Sequence, residues 1–287
     1  MVEMKFENRI FNNAGLIEQP QNKYAESNVD KFFANMTIVL NGWEKYLRSY
    51  TEKTADLFAS KPEFPWAKFD EPTWVSSLAL AIARTNPEAI LVEELPANKG
   101  KNTTGKGNVD LWCHLGAETN FSFYLEAKAS PWARNIVKKK TLDSGYSLEK
   151  LGKEMASADK HGLFSQAFRD DQKSLGEERP INSTESPHHA EADRMHPHVF
   201  LTLIIRPMCW DNSSWPTEEG LFKELFKPEP INIHLGKSVV KTSLYNIPIA
   251  GIVMRAKTNS TNSANSTGFI ALVMMLGESD GKKEQLR

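Results

Sequence analysis

The 287-residue chain carries 35 Lys and Arg against 36 Asp and Glu, a formal net charge of -1, and 40% of its residues are hydrophobic. That balance excludes a protein held to nucleic acid by overall charge, so any polyanion site must be a local patch, while the apolar share is enough to bury a substantial core. The cysteines, Cys113 and Cys209, are too few for a disulfide framework and lack metal-ligand spacing, which makes a reducing, cytoplasmic setting the expectation. No apolar run approaches the roughly 20 residues needed to cross a bilayer, and the first residues lack the apolar stretch of a secretory signal.

In chain order, residues 1–30 are polar and turn-rich. Residues 32–58 place aromatic and aliphatic side chains at helical spacing and predict a helix. The link KPEFPWAKFDEP breaks that pattern before WVSSLALAIAR, where Trp74, Val75, Leu78, Ala79 and Ile82 recur at three- and four-residue intervals. Pro72 suits the first turn of this second helix, where its missing N–H does no harm. Three strands follow at 89–96, 108–115 and 121–128, separated by turn-forming residues and read as a meander. A further helical stretch spans about residues 147–173, and a polar loop leads into HVFLTLIIRP, whose almost wholly apolar run reads as a buried central strand. The C-terminal part contains a predicted helix at 217–226 and two β-rich runs, IPIAGIVMRAK and GFIALVMML. Between them, KTNSTNSANSTG reads as a mobile Ser/Thr/Asn-rich loop, and no internal repeat is visible.

The chemistry concentrates on the second and third predicted strands. Asp110 lies in the second, and after 15 intervening residues Glu126-Ala127-Lys128 ends the third, so a tight antiparallel turn can bring them together. Strand alternation projects Glu126 and Lys128 to one face, while Ala127 points away but can still offer its backbone carbonyl. Two carboxylates and a carbonyl make an oxygen-only set suited to magnesium, with manganese as an alternative. Such an ion activates a water and stabilises charge on phosphorus, and an adjacent ammonium can orient the water or steady the phosphate.

The stretch GNVDLW followed by YLEAK resembles the PD-(D/E)XK nuclease superfamily, whose restriction endonuclease-like α/β core runs helix, three strands, helix, strand. The resemblance covers about residues 70–206. It implies a core at 70–206, an N-terminal helical extension at 1–69 and a C-terminal extension at 207–287 packing on the core. It also carries the family's aspartate to Asp110, its glutamate to Glu126 and its lysine to Lys128. Val109 stands where the family's nominal proline would be, a departure that leaves the ligands intact. Some members add an acidic residue from the first core helix, and Glu71 matches by position. The competing reading is that Asp70 or Glu71 caps the helix, satisfying free N–H groups at its N-terminus. Glu93 and Glu94 are rivals for the same ligand role, or simply residues of a solvated strand end.

Local positive charge comes from Lys99, Lys101 and Lys106 before the second strand and from Arg134, Lys138, Lys139 and Lys140 after the Glu-x-Lys. These can touch phosphates in a salt-sensitive, sequence-blind manner, or form a plain solvated surface. Trp112 and Trp132 can stack on bases or pack in the core. Lys160 and Gln166 lie where some family members place an auxiliary polar residue, although exposed helix positions explain them equally. The cluster His188, His189, His196 and His198 matches no structural zinc spacing and reads as a loop. Neither a G-x-S-x-G elbow nor a nucleotide phosphate loop is present.

These readings lead to a magnesium-dependent phosphodiesterase acting on DNA, with RNA as the other substrate class and no membrane partner. Duplex cleavage would call for a homodimer, because one such centre cuts one strand. The rival expectation is a non-catalytic nucleic-acid- or protein-binding module that keeps the same fold.

Overall fold

The protein is described by a computed structural model covering residues 4–17, 26–54, 66, 69–98, 106–129, 198–211, 231–235, 238–242, 244–258 and 265–278. In chain order its elements are β1 (Met4–Asn12), α1 (Glu26–Thr54), α2 (Glu71–Thr85), β2 (Ile90–Asn98), β3 (Lys106–His114), β4 (Ser122–Ala129), β5 (His198–Asp211), β6 (Ile231–Leu235), β7 (Ser238–Thr242), β8 (Ile249–Thr258) and β9 (Asn265–Glu278). Seven strands form one mixed sheet in the order β1-β8-β9-β5-β4-β3-β2, and β6 and β7 form a separate antiparallel pair.

An apolar run can be covered on both sides only inside a sheet. Strand β5 occupies the central position, and Leu201, Leu203, Ile204 and Ile205 are each fully buried. It runs parallel to β4 and antiparallel to β9. Every other neighbouring pair in the large sheet is antiparallel.

One face of that sheet, carrying Leu111, Leu125, Ala127, Leu203, Met254 and Phe269, joins the buried side chains of α1 and α2 in a single hydrophobic core. At its centre, the Phe269 ring lies 4.9 Å from Trp74, 5.7 Å from Trp43 and 6.0 Å from Trp66. Trp43 satisfies its indole N–H by donating to Ser77 Oγ at 2.9 Å, which ties α1 to α2.

Helix α2 begins where the sequence says it should. Asp70 occupies the N-cap and accepts from the Thr73 backbone N–H at 3.0 Å, with Pro72 in the first turn. At the other end Asn86 donates its backbone N–H to Ile82 O at 2.8 Å, and its side-chain amide donates to Leu115 O at 2.5 Å. The helix is thereby anchored to the β3–β4 hairpin.

Several expectations need correcting. Residues 1–30, read as turn-rich, contain β1, an edge strand paired with β8. Its alternation is disguised because Phe6 and Ile10 pack toward the core while the opposite face is charged, with Glu7 paired to Arg255. The helix expected at 32–58 begins earlier, at Glu26. The pairing of β6 with β7 had no counterpart in the sequence reading. Strands β1, β8 and β9, from the two expected extensions, continue the same sheet as β2 to β5. The helices expected at 147–173 and 217–226 lie outside the described residues, as does 259–264 of the Ser/Thr/Asn-rich loop. Among the described residues, no helix is long and apolar enough to cross a membrane.

Candidate active site

The register of β3 against β4 is set by the loop between them. Leu115 N–H donates to Phe121 O at 2.9 Å and Asn120 N–H to Gly116 O at 3.0 Å, with Gly116 and Asn120 at φ of 93° and 45°. Glycine and asparagine are the residues that tolerate this left-handed backbone. The hairpin then pairs His114 with Ser122, Trp112 with Tyr124 and Leu111 with Leu125. Continuing that count sets Asp110 opposite Glu126, yet the main-chain ladder stops at Leu111. Ala127 N–H instead donates to Asp110 Oδ2 at 2.6 Å, so the aspartate side chain replaces the backbone as the link between the strands.

The sheet is irregular at the same level on the other side. The β2–β3 ladder passes from Glu93↔Leu111 to Leu95↔Val109 and skips Glu94, whose φ of 53° is left-handed. That conformation costs a non-glycine residue about 1–2 kcal/mol. Asp110 therefore sits at the one level of β3 where ladder pairing is interrupted toward both neighbours.

Alternation along β4 sends Phe123, Leu125 and Ala127 into the helix-covered core and Tyr124, Glu126 and Lys128 to the opposite face. Asp110 and Trp112 share that opposite face on β3, and Thr202 and Ile204 share it on β5. Most of it is sealed: Glu126 is only 3% exposed, Trp112 and Tyr124 are buried, and Thr202 and Ile204 are fully buried. Asp110 and Lys128 are half-buried and form its accessible margin.

Helix α2 delivers a third carboxylate. Asp70 is the residue that caps the helix, and the Glu71 side chain reaches β4. Glu71 Oε2 accepts from Ala129 N–H at 2.9 Å, and Oε1 lies 3.4 Å from Lys128 Nζ. The Asp70 carboxyl is held below its ordinary value, first by the Thr73 hydroxyl and then by the Thr73 backbone N–H. Glu93 turns to the helix side, where it accepts from Ser76 Oγ at 2.5 Å.

The structure thus gathers Asp110, Glu126, Ala127, Lys128 and Glu71 at one end of the β3–β4 pair. Lys106 is the first residue of β3, and Lys99, Lys101, Arg134, Lys138, Lys139 and Lys140 lie outside the described residues. So do Trp132, Lys160, Gln166, His188, His189 and His196, while His198 starts β5. Trp112 is a buried packing residue. Cys113 is fully buried, and desolvation pushes its thiol far up, so it serves neither as nucleophile nor as ligand. Three features were not singled out in the sequence. His114 Nδ1 lies 2.7 Å from Ser122 Oγ across the strands, Thr202 pairs with Glu126, and Arg206 follows on β5. The signal for Arg206 was its place as the single charge ending HVFLTLIIRP.

Among the described residues, no group of three or more His, Cys, Asp or Glu side chains is arranged to hold a metal ion. Magnesium does not require one, since it is commonly bound through one or two carboxylates with water completing its shell. The pair Asp110 and Glu126 fits that demand. Glu126 is 3% exposed, and a buried carboxylate is a group whose charge a divalent cation would offset. No family model matches the chain, and neither the curated proteins nor the solved structures gave a match.

Proposed function

We propose that this chain is a magnesium-dependent nuclease of the PD-(D/E)XK type with a restriction endonuclease-like core, hydrolysing phosphodiester bonds in DNA. The observation that carries the reading is the break in the β3–β4 ladder, where Asp110 and Glu126 occupy facing positions and Lys128 follows on the same face. The order α2, antiparallel β2–β3–β4 and a β5 parallel to β4 supports it further.

Asp110, Glu126 and the Ala127 carbonyl would hold the ion, which when bound supplies Lewis-acid stabilisation and a water of lowered pKa. Lys128 steadies a non-bridging phosphate oxygen or orients the attacking water. Hydrolysis joins the water oxygen to phosphorus and breaks the ester P–O bond. One proton leaves the water and one reaches the departing oxygen. Glu71 keeps the Lys128 ammonium at the rim of the site, and its carboxylate is the further candidate ligand. Cutting both strands of a duplex would bring in a second copy of the chain.

One set of contacts favours a non-catalytic nucleic-acid- or protein-binding module. Asp110 is bonded to Ala127 N–H and Lys128 is paired with Glu71, so groups needed for chemistry already have partners within the protein. A cleavage assay on supercoiled, linear and single-stranded DNA and on RNA, with magnesium, manganese or EDTA, separates the two. The nuclease reading expects metal-dependent cleavage that disappears with EDTA and in Asp110→Asn and Lys128→Met. Binding without cleavage in any metal, with affinity unchanged in both variants, establishes the module instead.

A further inference from the structure

We infer that Arg206 is a substrate-contacting residue of this site and grips a backbone phosphate next to the one that is cut; this rests on the nuclease reading. The carboxylate-bearing face opens toward the ends of β4 and β5. Along β4, residues 122–127 are buried and Lys128 is the first accessible side chain. Along β5, residues 201–205 are buried and Arg206 is the first to regain access. The two strands run parallel with Lys128 beside Ile204, so Arg206 shares Lys128's face and lies two residues farther along. Strand spacing and rise put their Cα atoms about 8 Å apart, close enough for both side chains to engage one nucleic-acid strand.

The chemistry suits that position. A guanidinium presents a planar fork that matches two phosphate oxygens, remains charged at any working pH and is more weakly hydrated than an ammonium. The backbone of Arg206 lies on the central strand of the sheet, directly after fully buried Ile204 and Ile205. The other arginines on this face are poorer candidates. Arg255 is only 2% exposed, too deeply buried to meet a ligand. Arg9 falls on the same cross-sheet row as Arg206 but three strands away, about 14 Å at ordinary strand spacing. With a chain whose net charge is only -1, each cation on the path contributes visibly to the salt dependence of binding.

The test uses the full chain carrying Asp110→Asn, so that DNA is not consumed, and follows anisotropy of a labelled mixed-sequence DNA over a series of salt concentrations. Adding Arg206→Gln should reduce the slope of log affinity against log salt by about 1, equally for unrelated sequences. Arg206→Lys should restore the slope while leaving a weaker complex, because charge returns without the fork. In the cleaving protein, Arg206→Gln should raise KM and leave kcat nearly unchanged. Should Arg206→Gln fail to fold, Arg206→Lys decides alone: an affinity equal to the parent overturns the assignment. Wild-type cleavage together with an unchanged slope in folded Arg206→Gln removes Arg206 and leaves the nuclease reading standing. A wild-type chain that neither binds nor cuts any substrate removes both.

Discussion

Asp110 acts on the backbone. By accepting the Ala127 N–H it takes over where the β3–β4 ladder stops, and this places the Glu126 carboxylate opposite its own. Asp110→Asn keeps an acceptor at that point but removes a charge. Catalysis should therefore fall by about 10²–10³-fold or more, while the denaturation midpoint stays close to the parent. Asp110→Ala should lose activity and also about 1–3 kcal/mol of stability, because it leaves a backbone donor without its acceptor. Measuring kcat and urea unfolding on the two variants separates the roles, and equal stability losses would show that the hydrogen bond does not hold the strands. That Glu126 and Lys128 project from one face was legible because residues two apart on a strand do so whatever the tertiary context. The capture of Ala127 N–H was not, since it depends on where pairing ends, and no local pattern reports that.

At the level of elements, the first turn of α2 brings a carboxylate to β4. The cap at Asp70 fixes where the helix begins, and the next residue then reaches Ala129 N–H and Lys128. Asp70→Ala should cost about 0.5–2 kcal/mol, as loss of a helix cap does, whereas Asp70→Asn should be nearly neutral at neutral pH. The two side chains differ in acid. The folded Asp70 carboxyl titrates below its unfolded value of 3.8, so its contribution is complete above that value and disappears as pH falls through the lower folded one. Urea midpoints from about pH 5 down to about pH 2 should fall less steeply for Asp70→Asn than for the parent. Parallel curves would show that the cap does not titrate. Both Asp70 and the apolar stripe behind it are local signals, which is why α2 was legible almost to the residue. Strand β1 was missed for the opposite reason: Met4–Asn12 carries Lys5, Glu7, Asn8 and Arg9, and only pairing with β8 turns that polar stretch into a strand.

Across the whole molecule, residues more than two hundred positions apart close one sheet, with β1 docked on β8 and β9 carrying Phe269 into the tryptophans of α1 and α2. Because β9 lies directly beside β5, and β5 beside β4, the carboxylate-bearing strands are braced by the C-terminal part of the chain. Phe269→Ala should cost about 3–5 kcal/mol, and thermal unfolding should remain a single transition. An early melt that spares β2 to β4 would show the two halves of the sheet to be independent. The apolar runs that became β5, β8 and β9 were visible in the sequence as strands. Their order was not, since long-range pairing is decided by packing between distant segments.

The central claim is that Asp110 and Glu126 together hold one divalent cation, and manganese titration followed by electron paramagnetic resonance tests it without depending on any substrate. The account predicts one manganese bound per wild-type chain, displaced by excess magnesium and lost in both Asp110→Asn and Glu126→Gln. A wild-type chain that binds no manganese, or variants that bind it as well as the parent, would contradict it.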